Sequence, residues 1–166
     1  FSRDTAGTPM KRAPLIEMIA EDPLLRDCKI IAEAWDAVGL YQVGTFSADH
    51  RWQEWNGKFR DDVRLFMAGS RDSVHRLATR VAGSSDLYQT GTRGPLNSIN
   101  FITCHDGFTL YDLVSYNDKR NLENGEQNRD GENHNLSWNS GFEGSHADAD
   151  IETFRRRRIK SIITLL

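Results

Sequence analysis

Cys28-Lys-Ile-Ile-Ala-Glu33-Ala-Trp-Asp36 carries a short apolar run up to a carboxylate, with a Trp two residues beyond it. Buried parallel strands read as near-continuous apolar runs, and in α/β barrels the chemistry collects where such strands end. The stretch therefore reads as a parallel barrel strand that presents Glu33 as an acid. A second run, Ile99-Asn-Phe-Ile-Thr-Cys104, ends in the same way on His105-Asp106-Gly107. Two strand ends that each offer a carboxylic acid point to acid/base work on a neutral substrate. The plainer alternative is a Glu33 that only caps or pairs at a surface, and the repetition counts against it.

Outward from these runs, periodicity switches between short apolar stretches and helical patterns, which reads as β/α units. Leu15-Ile16, Met18-Ile19 and Leu24-Leu25 recur at helical spacing, and Pro23 should end or kink that helix. Arg51 to Asn56 reads as another short strand carrying Trp52 and Trp55. Asp61 to Met67 and Ser73 to Val81 read as helices burying Val63 and Phe66, then Val74, Leu77, Ala78 and Val81, with Gly83 as a stop. After the second run and Leu110 to Tyr116, residues 117–150 are polar and rich in Asn, Gly and Glu, a length that implies a functional or mobile segment. Ile151 to Leu166 begins a helix in which Arg155 to Arg158 should form a solvated face rather than a phosphate site.

Three strands cannot close an eight-stranded barrel, and an open piece would bare sheet edges and apolar faces. The expectation is therefore an α/β fragment of a (β/α)8 TIM barrel.

The 166 residues are 38% hydrophobic and 27% charged, which is ordinary globular composition. A formal net charge of -3 gives no reason to expect nucleic acid or an anionic membrane as partner. No stretch approaches the roughly 18 apolar residues of a membrane span. The N-terminus shows no signal-peptide pattern and does not begin with Met, so location stays open. Cys28 and Cys104 are the only cysteines and read as buried or half-buried thiols in a reducing compartment. Cys104 beside His105 invites a thiol-protease reading, but strand neighbours point to opposite faces.

Five blocks in a fixed order carry a resemblance: Ile31-Ala-Glu-Ala-Trp-Asp36, Glu54-Trp-Asn-Gly-Lys-Phe-Arg-Asp61, Cys104-His-Asp-Gly-Phe-Thr-Leu110, Asn124-Gly-Glu-Gln-Asn-Arg-Asp-Gly131 and Asn135-Leu-Ser-Trp-Asn139. Through them the chain resembles the isoamylase-type glycogen and starch debranching enzymes of the α-amylase superfamily. The resemblance implies a (β/α)8 barrel that hydrolyses α-1,6 branch linkages in glycogen or amylopectin with retention, of which 1–166 would be one partial catalytic domain, truncated at both ends and covering about three central-to-late strands with their helices. It assigns Glu33 as general acid/base, Asp106 to sugar hydroxyls and transition-state stabilisation, and His105 to substrate binding. It also implies an Asp nucleophile inside an Arg-x-Asp motif just before a loop resembling Phe1-Ser-Arg-Asp4, a position that falls outside this chain. Asp4 matches the loop after that nucleophile and does not replace it. No cofactor and no metal are expected, and homo- or hetero-oligomers with other debranching subunits are possible partners.

Glycoside cleavage independently needs one carboxylic acid protonated near neutral pH and another ionised. An apolar strand and Trp35 could raise the pKa of Glu33 by desolvation, which suits the proton donor. Gly107 would ease the backbone turn that lets the adjacent His105 and Asp106 serve one site. Trp35, Tyr41, Trp52 and Trp55 could stack on sugar rings, with core packing the default for all but Trp35. Asn56 and Arg60 could donate hydrogen bonds to glucan hydroxyls, while Arg60 could as readily pair with Asp61 or Asp62.

Oxygen-rich residues 121–135 admit a calcium reading, but the regular acidic spacing of a calcium loop is missing, and a polar rim to the cleft is preferred. Asn135-Leu-Ser137 is formally a glycosylation sequon, of little weight without a secretory signal. Ser140 stands where relatives often carry Cys. The competing readings are a non-catalytic regulatory subunit of a debranching complex and another α-amylase-superfamily activity on α-glucans. A slight leaning of residues 130–138 to plant isoamylases would imply a plastid stroma.

Overall fold

The computed structural model describes residues 3–145 and 147–166. Phe1, Ser2 and His146, which fall in the opening loop and the polar segment, lie outside the described residues. The chain divides into two compact units: the described residues of Phe1–Gly57 with Thr79–Asn100, and Lys58–Ala78 with the described residues of Phe101–Leu166.

The first unit holds a three-stranded parallel sheet in the order β1 (Ile30–Ala32), β2 (Trp52–Trp55), β3 (Ser98–Ile99). Ile30 stands opposite Trp52 and Ala32 opposite Glu54, and Glu54 in turn faces Ser98. The fold is therefore α/β with a parallel sheet. Helix α1 (Pro14–Glu21) starts on a proline whose missing N–H costs nothing there, and the chain leaves the helix before Pro23, as the sequence predicts. Ile16 of α1 packs with Ala13, Ala32 and Trp52, whose indole N–H donates to the Ile16 carbonyl at 3.1 Å.

Three expectations for this unit are corrected. The second apolar run pairs only through Ser98–Ile99, because β2 ends at Trp55 and offers no ladder partner beyond it. The connection from β1 to β2 contains no helix among the described residues, so the β/α alternation holds for the second crossover only. That crossover carries α2 (Gly57–Met67), α3 (Val74–Val81) and α4 (Ser85–Tyr88). Cys28 is exposed rather than buried, and Ile31 is 43% exposed on the edge strand.

The second unit is built from most of α2, the start of α3, α5 (Leu110–Ser115) and α6 (Ala149–Thr164). Its core joins Phe59, Val63, Ile102, Leu113, Val114 and Ile162. Thr109 caps α5 by accepting from the Asp112 N–H, and Asp148 caps α6 by accepting from the Asp150 and Ile151 N–H groups. Val63 is buried as predicted, but Phe66 is 36% exposed, Val74 63% and Val81 61%, and Ala78 is exposed too. The apolar face read for α3 is thus open, and only Leu77 packs against the core.

The arginine run is also corrected. Arg156 and Arg157 are exposed, but Arg155 is 0% and Arg158 6% exposed. Arg155 donates to the carbonyls of Asn139 and Phe142, and Arg158 to those of Trp138 and Met67 and to the Ser140 hydroxyl. Main-chain carbonyls that face a helix rather than water need donors, and these guanidinium forks supply them.

Candidate active site

Glu33 follows directly on β1, at the strand end where the sequence sets it. It lines a cavity of about 380 Å³ with Ile31, Trp35, Asp36, Phe46 and Trp52. The Glu33 residue is exposed where it lines this cavity. Past Glu33 the chain doubles back: Trp35 bridges Tyr41, and the Gln42 N–H donates to the Ala34 carbonyl at 2.7 Å. This turn stacks the Trp35 and Tyr41 rings at 6.1 Å and 14°, with Trp55 tilted against Trp35 at 6.4 Å. Flat apolar ring faces beside a carboxylate are what a sugar ring stacks on.

Asp36 holds the turn together. One carboxylate oxygen accepts from the Val38 and Leu40 N–H groups, the other from Arg3 at 2.9 and 3.0 Å. The Leu40 amide is the strongest of the influences that hold its pKa below the usual carboxylate value, and Arg3 adds to it. Asp4 accepts from the Ala6 and Thr8 N–H groups in a local turn.

Asn56 is fully buried at the end of β2, and its amide donates to the Ser84 and Ser98 hydroxyls at 2.9 Å each. Next to it, Glu54 is also fully buried. It accepts from the Gly44 N–H at 2.5 Å and from Arg93 at 2.6 Å, while Arg93 donates onward to the Ser47 carbonyl and lies 5.1 Å over the buried Tyr88 ring. Burial pushes the Glu54 carboxyl up, against the pull of the Gly44 amide and Arg93. Gly44 is needed where it stands: its φ is +88°, and a Cβ there would lie 2.9 Å from the Leu87 carbonyl oxygen.

In the second unit His105 and Asp106 line a polar cavity of about 770 Å³ with Lys119, Asn121, Asp130 and Glu132. The segment 117–135 thus forms a polar rim beside them. The ammonium of Lys119 donates to the Asp130 and Gly131 carbonyls, and the Glu132 N–H to the Asp106 carbonyl at 2.6 Å. Among the described residues no group of three or more His, Cys, Asp or Glu side chains could hold a metal ion. Asn135 is 3% exposed, with its amide oxygen and nitrogen both engaged.

Asp106 accepts from the Cys104 thiol at 2.6 Å. Burial alone would raise its pKa, but the Cys104 donor, its own backbone N–H, His105 and Arg60 together hold it below the usual carboxylate value. The Cys104 thiol is pushed up by burial and by that carboxylate, so it is a hydrogen-bond donor and no thiolate nucleophile. Arg60 lies 5.6 Å from the Phe101 ring centre and donates to Asp61 at 2.7 Å, the first of the two partners expected for it.

Glu33, Trp35 and Asn56 accordingly belong to the first unit, and Arg60, His105 and Asp106 to the second. Sequence reasoning missed the Glu54–Arg93 pair, because its partners are 39 residues apart. It also missed the Cys104–Asp106 contact, although two residues with one between them at a strand exit are a readable signal.

Together, fold and residues define a class: an α/β protein that sets a carboxylate directly after one parallel strand and a His-Asp pair beyond another. Comparison with known proteins narrows it. Isoamylase SU1, chloroplastic, from Zea mays is 54% identical over 162 residues, 98% of this chain and 20% of the relative. Isoamylase 1, chloroplastic, from Arabidopsis thaliana matches at 54% over 98% of the chain and 21% of the relative. Glycogen debranching enzyme from Erwinia tasmaniensis matches at 50% over 93% of the chain and 23% of the relative. No protein-family model matches the chain. Over nearly its whole length the chain is similar to isoamylases and to a glycogen debranching enzyme. It spans about a fifth of the length of the curated relatives it matches.

Proposed function

We propose that the chain is a segment of the catalytic (β/α)8 barrel of a longer enzyme that hydrolyses α-1,6 branch linkages in glycogen or amylopectin. The observation that carries this reading is the 50–54% identity to isoamylases and a glycogen debranching enzyme across almost all of the chain. The parallel sheet supports it, as does a carboxylate placed immediately after β1.

In this reading Glu33 gives its proton to the leaving glycosidic oxygen while an Asp outside this chain attacks the anomeric carbon. The resulting glycosyl ester is then cleaved by a water that Glu33 deprotonates, so configuration is retained. Asp106, held ionised, meets the positive charge that develops on the sugar, and His105 binds a hydroxyl beside it. Trp35 supplies a stacking face, extended by Tyr41. Arg60 stands beside Asp106 as a donor to sugar hydroxyls, whereas Asn56, buried and engaged by two serines, acts by positioning the end of β2. The substrate is a neutral branched glucan. No helix of the described residues is long and apolar enough to cross a membrane. For a chain of plant origin the reading puts the enzyme in the plastid stroma, alone or assembled with other debranching subunits.

The test is the full-length protein on amylopectin, following new reducing ends and released linear chains. Glu33→Gln should lower kcat/KM by roughly 100- to 10,000-fold, the usual contribution of a positioned acid/base. Release of internal α-1,4 products alone would replace the debranching reading with another α-glucan activity. A full-length protein that binds glucan without cleaving it would be the regulatory subunit.

A further inference from the structure

We propose that Arg64 and Asn135 form a buried hub that positions the His105–Asp106 turn, and that debranching therefore depends on two residues that touch no substrate. The inference rests on the functional reading above.

Arg64, on α2, is 4% exposed, and its guanidinium faces no carboxylate at hydrogen-bond distance among the contacts resolved for it. Instead it spends three N–H groups on two carbonyls. Its Nε and Nη2 donate to Ile102 at 2.9 and 2.5 Å, and its Nη1 donates to Asn135 at 3.1 Å. Burial lowers its pKa to about 10, which still leaves it charged at neutral pH. A buried cation given to main-chain carbonyls is costly and is kept where it fixes geometry.

Asn135 completes the arrangement. Its amide oxygen accepts from the Phe108 N–H at 2.8 Å, and its amide nitrogen donates to the Glu132 carbonyl at 2.8 Å. Glu132 in turn donates its N–H to the Asp106 carbonyl at 2.6 Å. The hub thus grips residues 102–108 at both ends, at Ile102 and at Phe108, and reaches their centre through Glu132. Gly107 shows how closely it fits, since a Cβ there would lie 3.1 Å from the Asn135 amide oxygen. His105 and Asp106 lie between the two anchors and line the polar cavity. An error of about 1 Å in such a constellation can cost on the order of a hundredfold in rate.

The test uses the full-length protein carrying Arg64→Lys, Asn135→Ala, or both. Lysine keeps the charge but cannot fork to two carbonyls. Each single variant, corrected for its folded fraction by thermal melting, should lose about ten- to a hundredfold in kcat on amylopectin. KM should move far less, and the shape of the pH profile of kcat should not move. The double variant should lose little more than the worse single, because both act through one turn. Folded variants with wild-type kcat would overturn the hub, as would losses confined to KM. A second readout needs no turnover: the imidazole NMR signals of His105, in histidine-labelled protein, should shift and broaden in each variant. Unchanged His105 signals would overturn the hub even if the wild type proved inert, an outcome that would sink the debranching reading separately.

Discussion

Asp106 stays ionised against its own burial, and the largest opposing influence is the Cys104 thiol that donates to it. A carboxyl whose folded pKa lies below its unfolded value stabilises the fold above the unfolded pKa, and that contribution is lost as pH falls through the folded pKa. Cys104→Ala removes the donor, so the Asp106 pKa should rise and its charge should be lost at a higher pH, whereas Cys104→Ser should keep the depressed value. Carboxyl NMR of the full-length protein as a function of pH would show this, and an Asp106 titration unmoved by Cys104→Ala would refute it. Glu54 poses the opposite case, a carboxylate that is tolerable only because Arg93 faces it at 2.6 Å with both side chains buried. Removing one partner of a buried pair costs about 3–5 kcal/mol, because the other is left uncompensated. Glu54→Gln should therefore destabilise strongly in urea unfolding, and Glu54→Gln with Arg93→Met by less than the sum of the two singles. Additive losses would show that the pair is not coupled. The pattern Trp52-Gln-Glu-Trp55 does place Glu54 on the same strand face as the buried Trp52. Its counter-ion could not be read, since nothing local ties residue 54 to residue 93.

At the scale of the element, helix α6 shows how a charge run can mislead. Ile151, Arg155, Arg158 and Ile162 recur at spacings of four, three and four, which is one stripe of a helix. Arg155, Arg158 and Ile162 are buried along it, so the inward face was legible in the spacing although composition argued for solvent. Burial lowers the Arg158 pKa to about 10, and the helix uses both guanidinium groups to fasten the carbonyls of residues 138–142. Arg155→Met or Arg158→Met should each cost about 1–3 kcal/mol in denaturant unfolding by leaving carbonyls unsatisfied. Arg156→Ala and Arg157→Ala should stay within about 0.5 kcal/mol. Equal effects at all four positions would contradict the stripe. Strands were legible to the extent that they have partners. β1 and β2 fall within the stretches read as strands, but Asn100 to Cys104 read as strand and make no ladder, because pairing is a property of the neighbour as much as of the run. The α3 face failed for a related reason. Its apolar residues have helical spacing, yet Val74 and Val81 meet no covering element among the described residues.

For the molecule as a whole, the two carboxylate-bearing segments fall in different compact units, Glu33 in one and His105 and Asp106 in the other. The first unit's sheet leaves β1 and β3 each with one side unpaired in the described structure, and unpaired strand edges template association with other chains. Leu24 is 89% exposed, Leu96 87% and Val38 78%. Retaining cleavage needs an ionised nucleophile about 5 to 5.5 Å from the acid, and in the proposed reading that group lies outside residues 1–166. Expressed alone, the 166-residue chain should therefore self-associate at micromolar concentration in light scattering, bind a hydrophobic dye, and release no reducing ends from amylopectin. Adding back the flanking sequence should restore both solubility and turnover, because it supplies strand partners and the nucleophile together. Turnover by the isolated chain would mean that the attacking carboxylate is among the residues described, and would move the nucleophile assignment inside these 166 positions.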